Sequence, residues 1–145
     1  MIYTYDGSFF GYLSAVFDAW HDGLGQVEDI CLERDAASLF SAPHFVATDD
    51  SKARRILDAL LMQCGPKACH YFYYAFLSEP KRGGLTLLGY LRKAFYYKLA
   101  FLDHRSEADI WTVCQWARKT GNERHKLLGL ARFQELSDGM LYCRL

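Results

Sequence analysis

The sequence predicts one helix-rich α+β domain spanning residues 1–145, with a small, mostly antiparallel sheet formed from N-terminal strands and a C-terminal hairpin. Three observations predict it. A chain of 145 residues, half of them apolar and 16% aromatic, has the length and the material for one real core. Apolar residues recur at helical spacing through most of the interior of the chain. Strand-like runs are short and lie in the first third of the chain and at its end, which makes a small sheet joining the N-terminal strands to a C-terminal hairpin the economical arrangement.

Met1–Tyr5 is β-branched and aromatic, and Asp6-Gly7 closes it with turn chemistry. Phe10, Leu13, Phe17 and Trp20 then mark a helix, with Ser8 as N-cap and Gly23 as stop. Residues 24–43 read as irregular, with a short strand at Val27–Leu32, and His44–Thr48 reads as a further strand. Asp49 and Asp50 open a helix whose inner stripe is Ile56, Leu57, Leu60, Leu61 and Cys64. Gly65-Pro66 interrupts it, and Pro66 suits the first position of the next helix, with Cys69, Phe72, Tyr73, Phe76 and Leu77 inward. Glu79–Gly84 is a loop. A helix from about Leu85 to Leu102 is apolar on two sides and therefore central. Ser106-x-x-Asp109 has the form of a capping box opening a helix through Ile110, Val113, Cys114 and Ala117, which Gly121 ends. Arg132–Leu136 and Met140–Leu145 flank Ser137-Asp138-Gly139 as a hairpin. A strand pattern running to the last residue points to a longer polypeptide of which this is the N-terminal part.

Several function classes lack their signatures. The five cysteines show no C-x-x-C spacing, and Cys64, Cys69 and Cys114 fall on apolar helical stripes, so reduced core thiols in a cytoplasmic protein are expected. No metal site is expected, because the histidines and cysteines lack ligand spacing. No apolar run approaches the roughly 20 residues that cross a bilayer, and no membrane association is expected. Neither a G-x-x-x-x-G-K-[ST] nor a strand-borne G-x-G-x-x-G motif is present, and no cofactor is expected.

The formal net charge of zero conceals a division. Residues 1–79 hold 5 Lys/Arg against 11 Asp/Glu, and residues 80–145 hold 12 against 6. Such asymmetry points to a polyanionic partner, or else to attraction between the halves within the fold. Arg118, Lys119, Arg124, Lys126 and Arg132 are the candidate phosphate-binding residues, with Gly121 between them allowing close approach of the backbone. The aromatic run at Tyr71, Phe72, Tyr73, Tyr74 and Phe76 offers rings for base stacking, against a competing role in the core. Glu123, His125 and Glu135 are the acid–base candidates, although a spacing of two would need a non-helical turn to bring Glu123 and His125 together. These residues do not decide whether the chain is an enzyme.

Four blocks carry a family resemblance: Met1–Phe9, Ala15–Ala19, Tyr73–Glu79, and Arg132-Phe133-Gln134-Glu135-Leu136-x-Asp138-Gly139-x-x-Tyr142. Together they resemble a bacterial family of unknown function whose members are described as DNA metabolism proteins. The run Lys119-x-Gly121-x-Glu123-x-His125 is similar to a pattern of that family. The resemblance implies that Asp6, Lys119, Glu123, His125, Arg132, Glu135 and Asp138 are its recurrent polar positions. It also implies work beside a radical-SAM protein, fusion of some members to a uracil-DNA glycosylase-type domain, and a continuation past the hairpin that this chain lacks. The expected function is a nucleic-acid-associated module in DNA metabolism or repair. The alternatives are an enzyme acting on a nucleobase or nucleotide through Glu123, His125 and Glu135, or a protein-interaction adaptor.

Overall fold

A computed structural model describes residues 1–36, 42–78 and 83–122. Three short strands, β1 (Ile2–Tyr5), β2 (Asp29–Leu32) and β3 (Pro43–Phe45), meet helices α1 (Phe9–Asp22), α2 (Asp50–Cys64), α3 (Pro66–Leu77) and α4 (Gly84–Tyr97). A 3-10 segment, Lys98–His104, links α4 to a fifth helix, α5, formed by residues 108–122.

The sheet corrects the sequence reading. Its order is β2-β1-β3, and β1 pairs with both neighbours in parallel, Tyr3 opposite Ile30 on one side and His44 on the other. The physical reason is the connection. Between β1 and β2 the chain runs back along the length of α1, and a strand entered after such a return lies parallel to the one before it. The described sheet is thus wholly parallel rather than mostly antiparallel, and the expected hairpin at residues 132–145 lies outside the described residues. As the central strand, β1 is buried at Ile2, Tyr3 and Thr4.

The β1–α1 corner is built by Asp6. Its Oδ1 accepts from the Ser8 amide at 2.9 Å and the Ser8 hydroxyl at 2.6 Å, and its Oδ2 accepts from Thr48 Oγ1 at 2.8 Å. Ser8 in turn caps α1 by accepting from the Gly11 amide. A Cβ on Gly11 would stand 2.2 Å from Asp6 Oδ1, so glycine there is a condition of the clamp. Asp6 thereby ties the chain leaving β1 to the chain leaving β3.

Aromatic residues fill the space between the helices. Phe72 is fully buried, with its ring centroid 5.6 Å from Phe9 and 6.0 Å from both Tyr12 and Tyr90. The buried tyrosines keep their hydroxyls satisfied: Tyr12 donates to Gly84 O at 2.7 Å and Tyr90 to Ala68 O at 2.9 Å. The α4 N-terminus presses directly on β2 at Gly84, where a Cβ would lie 1.8 Å from Ile30 O.

The second half differs from its prediction in two places. The helix expected to reach Leu102 stops at Tyr97, because Lys98 turns to φ 55°, and Leu99, on one apolar side of the expected helix, is left 74% exposed. Gly121 does not end its helix, since 121 and 122 are still helical. The stripe Ile110, Val113 and Ala117 is buried as its spacing requires. Among the described residues no helix is long and apolar enough to cross a membrane.

Candidate nucleic-acid interface

Charge distinguishes two of the clefts on the described surface. The first, of about 600 Å³, lies at the carboxyl ends of β1 and β2, against the end of α3 and the start of α4. In parallel sheets this is the usual place for a ligand. Its lining includes Tyr5, Cys31 and Phe76, and its charged groups are Arg34, Asp29 and Asp35. Burial, reinforced by nearby acids, pushes the Tyr5 hydroxyl up to about 12, and burial likewise pushes the Cys31 thiol up to about 11. Two carboxylates against one guanidinium disfavour a polyphosphate there.

The second cleft, of about 400 Å³, lies between α3 and α5. From α3 come His70, Tyr71 and Tyr74, and His70 and Tyr74 are one helical turn apart with ring centroids 4.1 Å from each other. From α5 come Trp111, Cys114, Gln115 and Arg118, an i, i+3, i+4, i+7 stripe on one helix face, continued by Gly121 and Asn122. Arg105, on the turn before α5, completes the lining, and its Nε donates to Leu102 O at 3.1 Å. Thr120 Oγ1 donates to Tyr74 O at 2.7 Å and holds the two walls together.

No Asp or Glu is among the described lining residues of this cleft. The Cys114 thiol on its wall records the local charge: burial pushes its pKa up, while the nearby Arg105 and Arg118 both pull it down. Arg105, Arg118 and Lys119 are exposed, and none forms an ion pair with a described carboxylate. Lys93 contrasts with them, since it lies 3.2 Å from Glu107 and 3.6 Å from Asp109. That pairing stays within the second half, as the Lys52–Asp18 pair stays within the first.

Of the residues proposed from sequence, Arg118 lines this cleft, and Lys119 is exposed beside it on α5. Asp6 lies away from this cleft, at the exposed β1–α1 corner, where three hydrogen bonds, led by that from the Ser8 hydroxyl, hold its carboxyl below the ordinary range and clamp the corner. Glu123, Arg124, His125, Lys126, Arg132, Glu135 and Asp138 lie outside the described residues. The aromatic run on α3 divides. Phe72 is core, Tyr71 and Tyr74 line the cleft, and Tyr73 is on the outer surface. Arg105 and Trp111 went unread in the sequence. The stripe read from the sequence, Ile110, Val113, Cys114 and Ala117, passes beside Trp111, and Arg105 reaches the cleft only through the turn geometry ahead of α5.

These elements define a helix-rich protein with a small parallel sheet and a cationic, aromatic-lined cleft between α3 and α5. Residues 81–145, which include α4 and α5, match the model of a family described as a domain of unknown function, DUF4130. No curated protein matches the chain, and no solved structure does.

Proposed function

We propose that this chain is a nucleic-acid-associated module acting in DNA metabolism or repair, with the α3–α5 cleft and its rim as the contact surface. The observation that carries this reading is the lining itself: two arginines and four rings meet there without a described carboxylate. Phosphate oxygens accept from guanidinium forks, and bases stack on rings of this kind. The mixed charge of the cleft at the strand ends supports no equivalent reading. A radical-SAM protein or a glycosylase-type domain as working partner follows from the family resemblance and belongs to the same proposal.

The test is fluorescence anisotropy of a labelled DNA oligonucleotide across a salt series. Binding is expected at low salt, with log K falling linearly against log salt by roughly 0.7–0.9 per phosphate neutralised. Arg105→Glu with Arg118→Glu is expected to weaken binding by at least about tenfold and to flatten that slope. An absence of binding at low salt, or an unchanged slope in the double variant, removes the proposal.

A further inference from the structure

Resting on that reading, we infer that the α3–α5 cleft takes an unstacked base of a single strand and does not engage the intact duplex. Trp111 is the main reason. Its indole is 55% exposed at the edge of the cleft, on the wall opposite the His70–Tyr74 ring pair. A large ring left half in water beside two guanidiniums is an uncovered stacking platform. The recess is concave and walled by two helices, with a capacity suited to a small planar group and not to a helical cylinder. A duplex hides its base faces and offers only groove edges and phosphates, which are read by a convex helix or ribbon entering a groove. A single strand offers both ring faces and phosphates at once. Arg105 and Arg118 then hold the backbone on either side of the seated base, and the open space at Gly121, where an added Cβ would meet nothing within 4 Å, leaves room for the chain to pass.

The experiment compares a labelled single-stranded oligonucleotide with a hairpin duplex of the same sequence, using the whole chain at one low salt concentration. The single strand is expected to bind at least about tenfold more tightly. Trp111→Ala is expected to remove about tenfold of single-strand affinity, to leave the salt slope and duplex binding unchanged, and to be largely rescued by Trp111→Phe. Circular dichroism of each variant confirms its fold. Equal or tighter duplex binding, or a Trp111→Ala variant that binds the single strand normally, overturns this inference. In that case the broader nucleic-acid reading stands if Arg118→Glu still weakens binding. Failure of both substrates to bind removes both.

Discussion

Replacing Gly84 with alanine sets helix propensity against packing. Alanine is the better helix former, so local preference alone would make the variant up to about 1 kcal/mol more stable. The structure predicts the reverse. The new Cβ would sit 1.8 Å from Ile30 O and 2.9 Å from its carbonyl carbon, both backbone atoms that no rotamer change can move. Ordinary contact begins near 3.4 Å, so the N-terminal turn of α4 must retreat from β2 by roughly 1.6 Å. That retreat stretches the 2.7 Å bond from Tyr12 to Gly84 O and loosens Leu87 and Leu88 in the core. Overpacking of this kind costs about 1–3 kcal/mol, and a strained hydrogen bond adds about 1 kcal/mol. Set against the propensity gain, the expected net loss is about 2 kcal/mol, which at this chain length lowers Tm by roughly 4–8 °C. Urea unfolding followed by circular dichroism measures it directly. Gly25→Ala is the control, since nothing lies within 4 Å of its added Cβ, and it should stay within about 0.5 kcal/mol. A Gly84→Ala protein as stable as its parent would refute the close packing of α4 on β2.

Two further outcomes follow from the sheet and its corners. Thr4 Oγ1 is buried on the central strand with no hydrogen-bond partner, so Thr4→Val is expected to raise stability by about 1 kcal/mol, read from the urea midpoint. The carboxyls of Asp6 and Asp49 are both held below their ordinary values, chiefly by the hydroxyls of Ser8 and Ser51. A depressed native pKa stabilises the fold above the unfolded value near 3.9 and is lost as pH falls through the native value. Stability should therefore decline on acidification below about pH 4.5. Asp6→Asn should be less stable at neutral pH and show a shallower decline in the same window, as measured by thermal melts between pH 6 and 3.

The helices were readable because their determinants are local. Ser8, Asp49 and Pro66 stand where caps and first turns require them, and Gly23 and Gly65 end their helices at positive φ. Sheet direction follows from the β1–α1–β2 connection, whose strand–helix–strand order is the mark of a parallel pair, and the strand-like run at the chain's end has no bearing on it. The end of α4 was not legible either, since the turn at Lys98 comes from a non-glycine residue at positive φ, which no local pattern announces. At the cleft, Arg118 was found through its charge. Trp111 lies off the buried stripe Ile110, Val113 and Ala117, and only the position of α3 shows that its face of α5 lines a cleft.

Hydrogen–deuterium exchange in the presence and absence of a single-stranded oligonucleotide tests the placement of the interface most directly. The predicted result is slower exchange in peptides covering residues 70–74 and 105–122, with residues 29–35 and 83–87 unchanged. Protection at the strand-end cleft in place of the α3–α5 cleft would contradict the account.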